Sequence, residues 1–294
     1  MRSSEVRSLE PLRERFLSRF PQNERSRTLI SGQVREHQRV NADPWVVRFR
    51  SVFSPGVRLF CFSHAGGGAA PYRTWPDGLP QGVEVCAVRL PGRDGRFGER
   101  AHTRLTDLVP EIARAVHPYL DVPYAFFGHS LGALVAFELA RYLRRETERT
   151  PAHLFVAARR SPERPEPRHP IHPLADREFV FEVQRRWGGI PAEVLKEPDL
   201  LALLLPALRA DVTMIETYTY VLDEALDFPI SCFGGLDDST VTKEDLEAWK
   251  EHTRAHFEMI VFPGTHFFLQ SSRAPLLDVL SRHLHPLAQS GPAQ

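Results

Sequence analysis

The sequence predicts an α/β fold: a mostly parallel central sheet with helices on both faces and a helical lid insertion. Short apolar runs alternate with stretches of helical periodicity along most of the chain. The apolar runs are nearly uninterrupted, which is typical of strands that are buried on both faces of a sheet. The alternation is broken once, by several helical stretches that follow one another without a strand between them.

Each predicted strand is a run of apolar and β-branched residues bounded by turn-forming residues. The predicted strands lie at 45–49, 57–62, 83–88, 153–158, 229–233 and 257–262, and one more begins at 124. Helical periodicity indicates helices at 105–120, 131–144 and 275–283. Asp121 and Pro123 close the first of these helices.

The lid insertion is predicted at about 160–220. It begins with a linker rich in proline and arginine at 159–173, directly after a predicted strand. Helical stretches follow at 179–187, 193–195 and 199–220. An insertion between two strands at the C-terminal edge of a sheet is where a lid over a binding site would lie.

Residues 1–42 differ from the rest, because they are rich in Arg, Glu and Ser and have few apolar positions. We expect an N-terminal extension that is either disordered or helical, with docking to a partner protein as the alternative. Residues 43–290 are expected to form one α/β domain. No apolar stretch in the sequence approaches the ~20 residues of a membrane span.

The composition of the 294 residues, 42% hydrophobic and 25% charged, is that of an ordinary soluble globular protein. The formal net charge is zero, so we expect neither nucleic acid nor an anionic membrane as a partner. Cys61, Cys86 and Cys232 each lie in an apolar run without metal-site spacing and should be reduced and buried. Because the N-terminus has no hydrophobic signal core, we expect a cytoplasmic protein. We take a monomer as the default, and we expect no metal and no cofactor because no metal-ligand cluster and no cofactor motif is visible.

The chain is organised around a Gly-x-Ser-x-Gly motif at 128–132, which stands between an apolar run and a helical pattern. That context is typical of a nucleophile elbow, a sharp strand-to-helix turn that exposes a serine. Gly128 and Gly132 leave room where strand and helix pass close to the turn. Ser130 is therefore the candidate nucleophile.

A nucleophilic serine needs a base, and the base needs an acid that orients it. His266 is the candidate base, because it alone among the histidines follows the last strand in a tight turn that contains glycine. His129 is expected to support the turn by hydrogen bonds, and His64 to be structural.

Two aspartates compete for the role of the acid after the strand at 229–233. Asp238 is preferred, because it fits a Gly-x-x-Asp-x-x-Val pattern with Gly235 and Val241. Asp237 is the alternative and is otherwise expected to cap the turn or the next helix. The order Ser, Asp, His along the chain is that of an α/β-hydrolase.

The oxyanion hole is expected from the backbone N–H groups of Leu131 and Ala65, with Gly66 as the alternative to Ala65. The glycines at 66–68 allow the backbone to approach a reacting carbonyl. Their spacing is neither that of a phosphate-binding loop nor that of a dinucleotide-binding motif.

Several motifs in order resemble those of the type II thioesterases, the external editing enzymes of polyketide and nonribosomal peptide biosynthesis. The resemblance covers roughly 45 to the C-terminal helix and is carried by the segments 59–67, 89–93, 128–133, 204–211, 233–238 and 263–268. The sequence departs from the family at Ser63, Leu131 and Thr265, where proline, methionine and glycine are common. None of these departures removes a catalytic atom, but they put the substrate preference in doubt.

The resemblance implies a thioester substrate: an acyl group on the phosphopantetheine arm of an acyl carrier protein or peptidyl carrier protein. The lid would leave a channel for the arm. The apolar run Leu200–Leu205 is then either the face of a buried helix or a wall for the acyl chain. Arg93, Arg96 and Arg100 are either docking contacts for an acidic carrier or ordinary surface arginines.

The resemblance, together with the candidate residues, therefore implies a thioesterase that clears acyl groups from an assembly line. An acyltransferase or a product-releasing thioesterase is the alternative, because it would use the same three residues. A hydrolase fold that only binds is a third hypothesis, against which the intact set of Ser130, Asp238 and His266 argues.

Overall fold

The computed structural model describes residues 43–147 and 149–289, which form a seven-stranded sheet in the order β1-β3-β2-β4-β5-β6-β7. Only β1 is antiparallel to its neighbour β3, and the other pairs are parallel. The strands are β1 (Val46–Arg48), β2 (Val57–Phe62), β3 (Val83–Val88), β4 (Tyr124–His129), β5 (His153–Ala157), β6 (Ile230–Gly235) and β7 (Phe257–Phe262).

Eight α-helices accompany the sheet in the described part of the chain. They are α1 (Leu105–Val116), α2 (Leu131–Thr147), α3 (Asp176–Trp187), α4 (Ala192–Leu195), α5 (Pro198–Glu216), α6 (Lys243–Glu247), α7 (Phe268–Ser271) and α8 (Arg273–Gln289). The predicted alternation of strands and helices is confirmed.

Both faces of the sheet are covered, as the uninterrupted apolar strands predict. On β2, Phe60 and Phe62 belong to a core that includes α1 and α2, whereas Leu59 and Cys61 belong to a second core that includes α8. Successive side chains of a strand point to opposite faces, so a strand between two helical layers must be apolar at every position. The sheet thereby holds its C-terminal edge rigidly between two cores.

The insertion lies between β5 and β6 and contains α3, α4 and α5, as predicted. It has a small apolar core of its own, to which Phe179, Val183, Leu205 and Val212 contribute. This core fixes the three helices relative to one another, so the insertion is a packed layer.

Several element bounds differ from the prediction. The helix predicted at 105–120 ends at Val116, because a 3-10 turn with a proline at its second position follows at His117–Tyr119. The last helix is longer than predicted. The sequence gives no bounds for the short helices α6 and α7, because five and four residues are too few to show a helical period.

The predicted extension at 1–42 lies outside the described residues. Among the residues that are described, no helix is both long enough and apolar enough to cross a bilayer. Cys61, Cys86 and Cys232 are free and buried, as expected.

The start of α2 is packed so closely that Gly132 tolerates no side chain. A Cβ there would lie 2.1 Å from the carbonyl oxygen of Phe62, a backbone atom. We expect Gly132→Ala to lower the free energy of unfolding by at least about 2 kcal/mol in urea titrations. The control is Gly98→Ala, because a Cβ at Gly98 has no atom within 4 Å. Equal stability of the two variants would contradict this packing.

Candidate active site

Ser130 occupies the sharp turn between β4 and α2. Its φ of 56° lies in the left-handed region, which is rare for residues other than glycine. A Cβ on Gly128 would lie 2.2 Å from the carbonyl oxygen of Gly132, so the elbow requires glycine at that position. The Ser130 N–H donates to the carbonyl of Ala157 at 2.8 Å, which ties the turn to the neighbouring strand β5.

The structure brings Ser130, His266 and Asp238 into one hydrogen-bonded chain. The Ser130 Oγ lies 3.0 Å from the His266 Nε2, and the His266 Nδ1 lies 2.8 Å from the Asp238 Oδ2. Because an ionised carboxylate only accepts hydrogen bonds, the Nδ1–H is the donor and Nε2 is free to accept from the serine hydroxyl. This arrangement can accept the serine proton.

Asp238, and not Asp237, reaches the histidine. The Asp238 side chain is 1% exposed, and its Oδ1 accepts hydrogen bonds from the Thr240 N–H at 2.8 Å and the Thr240 hydroxyl at 2.6 Å. Burial raises the pKa of the Asp238 carboxyl, but the hydrogen bonds from His266 and Thr240 outweigh it and lower that pKa below its ordinary value. The carboxylate therefore stays charged beside the imidazole.

Asp237 is exposed, and its backbone N–H donates to the carbonyl of Gly264 at 2.9 Å. The expectation that it caps the next helix is wrong. Thr242 caps α6, and its side chain and backbone exchange hydrogen bonds with Asp245 in a capping box.

Two further histidines support the site. The His129 Nε2 lies 2.8 Å from the carbonyl oxygen of His266, so His129 holds the backbone of the candidate base. Burial lowers the pKa of His129 well below its ordinary value, and the neighbouring His64 adds to the effect. Burial likewise lowers the pKa of His64 to about 4, and His64 Nδ1 donates to the carbonyl of Ala65 at 2.9 Å. Both rings are therefore neutral near pH 7.

The loop after β2 brings Ala65 to the same cavity as Ser130. The N–H of Gly66 is already engaged, because it donates to the Asp211 Oδ2 at 2.7 Å. This hydrogen bond favours Ala65 over Gly66 as the loop's donor to an oxyanion. Leu131, the other expected donor, directly follows Ser130 as the first residue of α2.

A cavity of about 870 Å³ lies between the sheet edge and the insertion, and Ser130 and His266 line it. Its walls are mainly apolar. Helix α5 contributes Leu201, Leu204, Leu205, Leu208, Val212 and Ile215, and α3 contributes Val183 and Trp187. The leucine run of α5 therefore both packs in the core of the insertion and lines the cavity.

A second serine–histidine pair lies at the opposite end of the sheet. The His153 Nε2 is 2.7 Å from the Ser231 Oγ, near the N-terminal ends of β5 and β6. The Ser231 hydroxyl donates to the Glu258 Oε1 at 2.7 Å, and the serine is completely buried. Its proton is held by a carboxylate, so this pair is not arranged for nucleophilic attack.

A model of the thioesterase domain family matches residues 57–287. The chain belongs to the thioesterase family. This thioesterase is 39% identical over 240 residues to the gramicidin S biosynthesis protein GrsT of Aneurinibacillus migulanus, which covers 82% of the chain and 93% of GrsT. It is 42% identical over 248 residues to a Brevibacillus parabrevis protein named linear gramicidin dehydrogenase LgrE, covering 83% and 94% of the two chains.

Its structure is similar to that of the type II thioesterase BorB from the borrelidin biosynthetic cluster. The TM-score is 0.75 at 34% sequence identity, and the match covers 82% of this chain and 97% of BorB. The α/β-hydrolase fold predicted from the order of the motifs is thereby confirmed.

Two of the three arginines considered for docking are buried in the thioesterase. Arg93 is 4% exposed and forms an ion pair with Asp211, and Arg96 is 7% exposed and donates to Glu99. Because neither side chain is exposed, Arg93 and Arg96 are neither ordinary surface arginines nor docking contacts, and both predictions were wrong for them. Arg100 is exposed.

Neither Thr240 nor Asp211 was predicted from the sequence to have a role in the site. A signal for Thr240 was present, because an aspartate two residues before a threonine is typical of a turn in which the carboxylate accepts from the backbone. Asp211 offered no local signal, since its partners lie 118 and 145 residues away in the sequence.

The neutral His129 makes the fold sensitive to acid. Its pKa is lower in the folded than in the unfolded chain, so the unfolded chain binds more protons below about pH 6.5 and stability falls as the pH falls. We therefore expect the free energy of unfolding to fall more between about pH 7.5 and pH 5 in the wild type than in a variant without this imidazole. Urea titrations of the wild type and His129→Gln at pH values near 7.5 and 5 measure it. A pH dependence that is the same in both proteins would exclude this role for His129.

Proposed function

We propose that Ser130 is the nucleophile of a thioesterase, with His266 as its general base and Asp238 as the acid that orients the imidazole. The observation that carries the proposal is the continuous hydrogen-bonded chain of these three side chains at an apolar cavity. The N–H groups of Leu131 and Ala65 would form the oxyanion hole.

In the first step, the Ser130 oxygen attacks the thioester carbonyl while His266 accepts the serine proton. Collapse of the tetrahedral intermediate breaks the carbon–sulfur bond, and the thiol leaves with that proton. His266 then takes a proton from water, which attacks the acyl-serine ester. The free acid leaves, and the proton returns to Ser130.

The substrate that we propose is an acyl group on the phosphopantetheine arm of an acyl or peptidyl carrier protein. Relatives of similar length bear names from gramicidin S and borrelidin biosynthesis, which supports an editing or unloading role on such an assembly line. The apolar wall of α5 suits an acyl chain. The extension at 1–42 is proposed to lie outside the catalytic domain at 43–290, with the lid at about 160–220.

The alternative of acyl transfer or product release is not favoured, since BorB is described as a type II thioesterase. We do not propose a dehydrogenase activity, which the name of LgrE suggests, because the loop at 66–68 lacks the glycine spacing of a dinucleotide-binding motif. We propose a monomer in the cytoplasm, a location that the three free cysteines support.

Ser130→Ala should reduce the hydrolysis of acyl-cysteamine thioesters by on the order of 10⁶-fold, because no other group replaces the nucleophile. The matched control is Ser231→Ala, which removes another buried serine hydroxyl next to a histidine. Its kcat per folded molecule should stay within about threefold of wild type, since Ser231 lies away from the cavity. Ser130→Ala activity near the wild-type value would eliminate Ser130 as the nucleophile.

The two neighbouring aspartates provide a second matched pair. Asp238→Asn should lower kcat by on the order of 10⁴-fold, because an amide no longer holds the imidazole in the required tautomer. Asp237→Asn should change kcat by less than about threefold, since Asp237 is exposed. Steady-state kinetics with the same thioester distinguish the two, and the reverse ranking would identify Asp237 as the acid.

The substrate class is tested with a carrier protein that bears an acylated phosphopantetheine arm. Intact-mass spectrometry should show the loss of the acyl group and the release of the free acid, also when an alcohol or amine is added. An ester or amide product would indicate the transferase instead. No reaction on the carrier, together with turnover of the acyl-cysteamine, would exclude the carrier as substrate while leaving the chemistry intact.

A further inference from the structure

The peptide that joins Ala65 to Gly66 is held at both of its polar ends. Its carbonyl accepts a hydrogen bond from the His64 Nδ1 at 2.9 Å, and its N–H donates to the Asp211 Oδ2 at 2.7 Å. Gly66 has a φ of +73°, so the loop depends on an uncommon backbone conformation at this point. A peptide that is held in this way cannot rotate without losing both partners.

Asp211 does not belong to this loop but to helix α5 of the insertion. Its carboxylate is fixed by Arg93, whose two terminal nitrogens donate to the Asp211 oxygens at 2.6 and 2.8 Å. The Arg93 side chain is 4% exposed and that of Asp211 is 1% exposed. Arg93 also donates to the carbonyl of Gly67 at 3.3 Å. The buried pair thus connects the loop after β2 with α5.

The same helix contacts the loop and lines the cavity. Leu208, one turn before Asp211, lies so close to Gly66 that a Cβ on the glycine would be 3.1 Å from the leucine Cδ1. Leu208 and Val212 both line the cavity. A shift of α5 would therefore move the acyl-binding wall and the carboxylate that holds the loop together.

We propose that Asp211 is a positioning residue for the loop that contains Ala65, and that through it helix α5 sets how well the Ala65 N–H stabilises the oxyanion. The proposal rests on the function proposed above. A substrate that packs well against α5 should then have a higher kcat as well as tighter binding, because it keeps α5 and the loop that contains Ala65 in their relative positions.

The test compares two double variants of the full chain, in which no buried charge is left unpaired. Arg93→Met/Asp211→Asn keeps a side-chain oxygen for the Gly66 N–H, and Arg93→Met/Asp211→Leu removes it. We measure kcat and KM with octanoyl-cysteamine, the inhibition constant of an alkyl trifluoromethyl ketone, and the thermal midpoint. The ketone forms a tetrahedral adduct with a nucleophilic serine and so reports on the oxyanion hole.

The Asn variant should retain kcat within about fivefold of wild type. The Leu variant should lose about 10- to 100-fold in kcat, with KM within about twofold, and should bind the ketone more weakly by a similar factor. If the Leu variant does not fold, Arg93→Met/Asp211→Ala takes its place with the same expected losses.

Equal kcat and equal ketone affinity in the two double variants would overturn the proposal. So would a rise in KM at unchanged kcat, which would make α5 a binding wall and no more. A difference confined to the thermal midpoint would show that the pair only stabilises the fold, and would likewise overturn it. The result for Ser130→Ala with the same thioester shows independently whether the proposed nucleophile has failed.

Discussion

The close approach of helix α2 to strand β2 is the constraint on which the rest of the site depends. At Gly132 the helix backbone lies against the carbonyl of Phe62, and at Gly128 the strand lies against the helix. The turn between them must therefore be sharp, and Ser130 takes a left-handed conformation that costs roughly 1–3 kcal/mol. Two packed cores and the hydrogen bond to Ala157 maintain this conformation.

A parallel sheet brings the ends of distant strands to one edge, and this explains how the other groups reach Ser130. Strand β2 ends at the loop that contains Ala65, β6 ends shortly before Asp238, and β7 ends shortly before His266. These residues are far apart in the sequence, but the carboxyl ends of their parallel strands lie at the same edge of the sheet. The serine–histidine pair at the opposite edge lacks this arrangement, since a glutamate holds the proton of Ser231.

The insertion completes the site. Helix α5 uses one leucine-rich segment for the core of the insertion and for the cavity wall, which is why that segment is apolar nearly all round. Asp211, further along the same helix, is a buried carboxylate that Arg93 neutralises. A buried ion pair contributes little net stability. Its presence here is consistent with the proposed role of Asp211, which is to fix the geometry of the loop beside Ser130.

The sequence by itself determined the strands, the elbow and which histidine lies beside Ser130. An uninterrupted apolar run indicates burial on two faces, and a glycine-flanked serine between a strand and a helix indicates the elbow. These patterns depend only on residues that are close together in the sequence, so the sequence alone is enough to identify them. For the acid, a sequence pattern favoured Asp238 over Asp237 but did not decide between them. The two side chains are chemically identical and differ only in the direction in which they point, which the fold sets.

Only the tertiary structure decided which polar side chains meet across long separations. Arg93 looked like a surface residue or a docking contact, but it is buried against Asp211, and Thr240 holds Asp238 by its hydroxyl. The sequence contains the charges and the hydroxyl, but their partners depend on how the insertion packs on the sheet edge. Periodicity indicates which face of an element is buried, whereas the partner of a buried charge is set by the packing of whole elements against one another.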